Sequence, residues 1–140
     1  MLCDIIASKE RYVMSMLSNF KTFNFNEGVP YVSVTSNGVT FNKSVVLKLG
    51  KPEYAVFLFD EESQRIAVKA CTKETDNSTQ FYKPKKNNVI SVRWNGKDLL
   101  NTIQMMMNWD LNVNAYRAEG ALLKEDNAMI FDLSKATVLK

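Results

Sequence analysis

The chain has 140 residues, of which 46% are apolar and 24% charged, and its formal net charge is +3. These values are typical of one globular domain. The positive excess is too small for a protein built mainly to coat phosphates, but it is compatible with an acidic partner. The sequence has no histidine, and its two cysteines, Cys3 and Cys71, have no metal-binding spacing. We therefore expect no metal, no cofactor and no imidazole-based catalysis.

The sequence contains no apolar run that approaches the ~20 residues of a membrane-spanning helix. The apolar stretch at residues 1–7 is short and lacks the basic flank of a secretory signal. We expect a cytoplasmic protein that does not enter a membrane.

Residues 1–30 are expected to form an N-terminal helix followed by an edge segment. Apolar residues recur at helical spacing between residues 2 and 20, and residues 22–26 alternate between polar and apolar. One hypothesis is that the natural product begins at Met14 or Met16, because Lys9-Glu10-Arg11 is what a purine-rich ribosome-binding sequence would encode.

Residues 31–71 predict a strand, a helix and then two strands. A strand that starts with Val32-Ser33-Val34 is expected to bend at Asn37-Gly38, where both residue types tolerate positive φ. Asn42 can cap a short helix that ends at Gly50. Residues 54–59 and 65–69 are then expected to pair as a hairpin with an acidic turn.

Residues 72–88 are polar and are expected to connect this unit to a second one at residues 89–133. The second unit repeats the plan, with Ile90-Ser91-Val92 before Asn95-Gly96; its first matches share an offset of 58 residues, and the last is displaced by a few more because the second helix and turn are longer. A longer helix should follow, then strands at 116–123 and 128–131. The apolar stripe of this helix is expected to face a core, in preference to forming a binding groove, and consists of Leu99, Leu100, Ile103, Met106 and Met107.

The duplication predicts one domain, because half-domains of this size rarely fold alone. We expect two β-α-β-β copies, 31–71 and 89–133, to close around one core, with residues 134–140 as a tail. The fold class is α+β, mostly β.

The first copy resembles the SpoVT/AbrB swapped-hairpin domain of bacterial transition-state regulators and antitoxins. The resemblance rests on Asn37 to Asn42, on the short helix ending in Leu49-Gly50, and on the hairpin at residues 53–69. In that family two chains interleave their hairpins into one small barrel. The resemblance therefore implies an AbrB-like barrel made within one chain as a pseudo-dimer, and a small bacterial or phage regulator that binds double-stranded DNA.

The first predicted strand lacks the arginines usual in the family, so contacts to DNA should come from other cations, which are expected to cluster on one face. The candidates are Lys43, Lys48 and Lys51 around the first helix, Lys83, Lys85 and Lys86 in the connector, and Arg93 and Lys97 in the second copy. Lysine and arginine suit this role because neutralised phosphates release counterions. The alternative is that these are solvated surface charges.

Catalysis is not expected, since the sequence contains no GxSxG, no glycine-rich phosphate loop and no HExxH. The main alternative to a DNA-binding regulator is a non-enzymatic module, encoded by a mobile element or acting against host defence, that binds a protein partner. The protein could be a monomer with internal pseudo-symmetry or a homodimer.

Overall fold

The structure is a computed structural model, and it describes residues 17–22 and 28–139. The predicted N-terminal helix and edge segment fall mainly outside these ranges. The described strands are β1 (Tyr31–Thr35), β2 (Gly38–Phe41), β3 (Tyr54–Asp60), β4 (Arg65–Cys71), β5 (Thr79–Gln80), β6 (Val92–Trp94), β7 (Ala115–Leu123), β8 (Ala128–Asp132) and β9 (Thr137–Leu139). The helices are α1 (Lys43–Lys48) and α2 (Lys97–Met107), and Leu133–Lys135 form a 3₁₀ turn.

The described strands belong to one antiparallel sheet that curls into an open half-barrel. Their order across the sheet is β5-β3-β4-β8-β7-β1-β2-β6, and β9 pairs with β7 beside β8. The expectation of a mostly β, α+β chain is confirmed.

The two predicted copies interleave within this sheet. The β7–β8 hairpin of the second copy lies between β1 and β4 of the first, with Val32 opposite Ala118 and Val68 opposite Met129. The first half of β7 pairs with β1 and the second half with β8. Side chains from both copies consequently line one interior.

The positions of α1 and of the hairpin after it agree with the predictions made from local sequence signals. The side chain of Asn42 accepts a hydrogen bond from the backbone N–H of Val45, as the predicted cap requires. Val45 and Val46 are fully buried, and the chain leaves the helix through Gly50 at φ 82°. β3 and β4 pair along their full length across a turn that begins at Asp60.

The bent strand predicted around Asn37-Gly38 is wrong, because the chain reverses there. β1 and β2 form a tight hairpin in which Thr35 lies opposite Gly38, whose φ is 145°. A Cβ atom at Gly38 would lie 2.7 Å from the Trp94 carbonyl oxygen, so this position requires glycine. The first copy therefore has a strand more than the predicted strand-helix-strand-strand plan, whereas the second copy follows it.

Two segments outside the predicted copies also pair with the sheet. In the connector, β5 pairs with β3, and Phe81 is buried immediately after it. In the expected tail, β9 pairs with β7 through Val138 and Tyr116. The sheet thus extends beyond the two copies at both places.

Phe41 lies at the centre of the core. Its ring centroid is 5.5 Å from that of Phe81, 5.4 Å from that of Trp94 and 5.8 Å from that of Phe131. α2 contributes Ile103, which is fully buried, and the other four members of its predicted stripe pack partly buried against the core. Neither α1 nor α2, the helices in the described part of the chain, has the length and apolar character needed to cross a bilayer.

Candidate nucleic-acid interface

The two outermost strands of the sheet, β5 and β6, come together at a seam that a side chain bridges. The indole Nε1–H of Trp94 on β6 donates a hydrogen bond to the backbone carbonyl of Gln80 on β5, with a distance of 3.0 Å. The Trp94 ring also packs edge-on against Phe81, with 5.6 Å between centroids. Aromatic packing and this bond link the two edges of the open, curled sheet, which have no backbone pairing with each other.

A groove of about 230 Å³ opens at this seam. Three of the predicted cations line it, since Lys83 and Lys85 follow β5 along the chain and Arg93 lies on β6. The complete lining is Gln80, Phe81, Tyr82, Lys83, Lys85, Ser91, Val92, Arg93 and Trp94, with no acidic residue among them. The groove is therefore a positively charged site bordered by aromatic rings.

Arg93 points outward because its neighbours on β6 point inward. Val92 is buried and Trp94 packs on the core, so the period of two along a strand turns Arg93 to the outer face. Its Nε–H donates to the Thr40 hydroxyl at 3.0 Å. In the part of the chain that the structure describes, its terminal guanidinium nitrogens have no acidic partner and can bind an anion.

Arg93 also begins a row of polar side chains that crosses the outer face of the sheet. Residues in direct register across antiparallel strands share a face, and the row runs Arg93, Thr40, Ser33, Arg117, Thr137. Three strand spacings of ~4.8 Å separate the backbones of the two arginines, which are therefore about 14 Å apart. The Arg117 guanidinium carbon lies 4.0 Å from the centroid of the Tyr31 ring, and Glu119 lies opposite Tyr31 on the same face. Two hydroxyl groups thus lie between two fixed arginines.

Arg117 was not among the candidates predicted from the sequence. The signal available was the alternation along β7, which turns Arg117 outward while Tyr116 and Ala118 face the core. The register that aligns Arg117 with Arg93 involves four strands from distant parts of the chain, so the sequence alone did not reveal it.

The other five predicted cations do not line the groove. Lys97 borders a different cavity of about 150 Å³, together with Ser36 and Asn112. Lys43 and Lys48 lie on α1, and Lys51 follows it with a φ of 54°. Lys86 is exposed in the connector. The structure thus brings together Lys83, Lys85 and Arg93 and places the remaining candidates elsewhere.

Two carboxyl groups outside the groove have a shifted pKa. A hydrogen bond from the Ser63 side chain is the main cause that holds the pKa of Asp60 below its ordinary value, and the Ser134 side chain does the same for Asp132. Both carboxylates are consequently ionised at neutral pH. Among the described residues, no three potential metal ligands come together.

Comparison of the chain with models of protein families, with curated proteins and with solved structures finds no match.

Proposed function

We propose that the protein is a small DNA-binding regulator that contacts the phosphate backbone of double-stranded DNA through the groove at the β5–β6 seam. The observation that carries the proposal is the convergence of Lys83, Lys85 and Arg93 on one groove without an acidic residue in its lining. Since the whole chain has an excess of only three positive charges, a groove with three cations concentrates positive potential where an anion can approach.

The outer row extends this groove into a longer surface for the phosphate backbone. Arg93 belongs to both features, and the hydroxyls of Thr40 and Ser33 can donate hydrogen bonds to phosphate oxygens. Arg117 supplies the next positive charge about 14 Å along the row. We propose that the backbone follows the direction from the groove across β2 and β1 to β7.

The interleaving of the copies supports an AbrB-like origin for the fold. In the swapped-hairpin family a hairpin from one half is inserted into the other half, and here the β7–β8 hairpin lies between β1 and β4. We propose that the chain is a tandem relative of such a dimer. Its two halves have diverged, because β5 occupies the edge of β3 and the second copy lacks a counterpart of β2.

Fluorescence anisotropy with a labelled DNA duplex, at salt concentrations from about 50 to about 300 mM, tests the proposal. The test variant is Lys83→Glu/Lys85→Glu, and the control is Lys73→Glu/Lys124→Glu, which changes the net charge equally at exposed positions outside the groove lining. We expect the test variant to lose at least about tenfold in affinity at low salt. The slope of log K against log salt should become shallower by about 2, at ~0.9 per lost phosphate contact.

Equal losses in the two variants would show that only net charge matters and would contradict a defined groove. Failure of the unmodified protein to bind DNA at about 50 mM salt would reject DNA binding altogether.

A protein-interaction module remains the second candidate, and one observation favours it. The outer face of β3, β4, β8 and the second half of β7 presents one row made only of apolar side chains, Leu58, Ala67, Ile130 and Ala121, in contrast with the polar row across β6, β2 and β1. Binding that depends on this face and is indifferent to Lys83 and Lys85 would favour this function over DNA binding.

A further inference from the structure

Three parallel rows of side chains cross the outer face of β3, β4, β8 and β7. Strand register places Asp60, Arg65 and Asp132 in the first row, Leu58, Ala67, Ile130 and Ala121 in the second, and Val56, Lys69, Ala128 and Leu123 in the third. The second row is entirely apolar. Leu58 is 47% exposed and Leu123 is 40% exposed, so part of this apolar surface is open.

From this arrangement we infer that the face is an interface between two copies of the protein, related by a two-fold axis that runs along the strands between β4 and β8. Such an axis exchanges the two central strands, so each residue of β4 faces its own register partner on β8 of the other copy. The two sheets then pack face to face with aligned strands, which is a common mode of sheet packing.

The axis makes the charged positions on the two central strands complementary to each other, whereas on the outer strands it sets Asp60 opposite Glu119, the next outward residue of β7 before Ala121. Arg65 lies opposite Asp132 in the strand register, so Arg65 of each copy faces Asp132 of the other, giving two symmetric ion pairs. Within its own copy, a terminal guanidinium nitrogen of Arg65 already lies 4.0 Å from a carboxylate oxygen of Asp60. The apposition therefore places each arginine between two carboxylates and brings no like charges together on the central strands.

The same axis makes the apolar row complementary in shape. A shallow cavity of about 160 Å³ is lined by residues of β3, β4 and β8, which are Leu58, Phe59, Asp60, Arg65, Ile66, Ala67 and Ile130. Ala67 is the register partner of Ile130, so each Ile130 side chain faces the depression over Ala67 of the other copy. The small alanine provides the space that the larger isoleucine fills.

The size of the face indicates a reversible dimer. Four strands span about 19 Å, and the six steps from Tyr54 to Asp60 span about 20 Å, which limits the footprint to about 400 Å² per copy, and the outward curvature of the sheet reduces it further. That is within the range of functional apolar patches, but it is smaller than the ~800 Å² per partner of a standard stable interface. We therefore expect association that depends visibly on protein concentration.

Sedimentation velocity of the full chain from about 5 to about 500 µM tests the inference. The mass should rise with concentration from 16.0 kDa toward twice that value. Leu58→Arg should weaken association at least about tenfold, since it places a cation in the apolar row. Val113→Arg, at a position that is 71% exposed outside these strands, should leave it unchanged.

A matched pair of charge reversals on β4 tests the position of the axis. Arg65→Glu sets a carboxylate against Asp132 of the other copy, and we expect a loss of about tenfold in association. Lys69→Glu makes the same charge change on the same strand, but Lys69 faces Ala128, and its effect should be less than about threefold. Circular dichroism establishes that each variant remains folded.

A monomer at every concentration would overturn the inference, whether the face is then solvent-exposed or covered by another segment of the chain. Equal effects of Arg65→Glu and Lys69→Glu would overturn the proposed axis. Because the assay contains no DNA, its outcome is separate from that of the DNA-binding proposal.

Discussion

Replacing Gly120 with alanine should destabilise the protein, because side chains of the neighbouring strand β8 pack closely over this residue. A Cβ atom there would lie 2.7 Å from the ring of Phe131 and 2.9 Å from the side chain of Met129. Both neighbours are fully buried. Normal carbon contacts lie at ~3.5–4.0 Å, so the buried ring would have to move by about 0.8 Å or more.

The magnitude follows from two opposing effects. Overpacking of a dense core costs about 1–3 kcal/mol, whereas exchanging glycine for alanine gains about 0.4–1 kcal/mol by restricting the unfolded chain. We expect the free energy of unfolding to fall by about 1–2 kcal/mol in urea titrations followed by circular dichroism, with an unchanged m value. Gly96→Ala is the control, because a Cβ atom there has no neighbour within 4 Å. Equal stability of the Gly120→Ala variant and the unmodified protein would refute the close packing of β7 on β8.

Substitutions at three further positions test the cap, the connector and the seam. Asn42→Ala should lower the free energy of unfolding by about 2–3 kcal/mol in the same titration, since Asn42 caps α1, accepts a hydrogen bond from the Tyr31 N–H and donates one to the Val29 carbonyl. Asn42→Asp keeps the acceptor oxygen and should lower the stability by less. Phe81→Ala should cost about 3–5 kcal/mol, and a loss below about 1 kcal/mol would contradict a core role for the connector. Trp94→Phe retains a ring but removes the hydrogen bond to Gln80, so the free energy of unfolding should fall by about 0.5–1.5 kcal/mol. Hydrogen exchange of the Phe81 amide should also become faster, and an unchanged exchange rate would show that the bond does not hold the seam.

The sequence predicted best the elements that depend on neighbouring residues. The cap at Asn42, the glycine exit from α1 and the alternation along β3 and β4 are all local signals, and the structure has these elements where they were expected. The apolar stripe of α2 likewise identified Ile103 as a core residue. Such features follow from backbone geometry within a few residues.

The features that the sequence missed depend on contacts between distant residues. The polar composition of residues 72–88 concealed Phe81, which is buried because Phe41 and Trp94 surround it. The need for glycine at position 38 comes from the close approach of the Trp94 backbone, which belongs to the second copy. In the same way, Lys83 and Arg93 line one groove because the curled sheet brings its two edges together.

The interleaved strand order delays the pairing of β1 and β4 with their neighbours during synthesis. Val32 on β1 pairs with Ala118, and Val68 on β4 pairs with Met129, so both strands require a hairpin that the ribosome makes roughly 60 or more residues later. Pairing over such separations in the chain slows folding, because a long loop must close before any contact is gained. During synthesis β1 and β4 consequently remain without these neighbours until residues 115–132 have emerged, and in this interval their open edges are exposed to aggregation or to capture by chaperones.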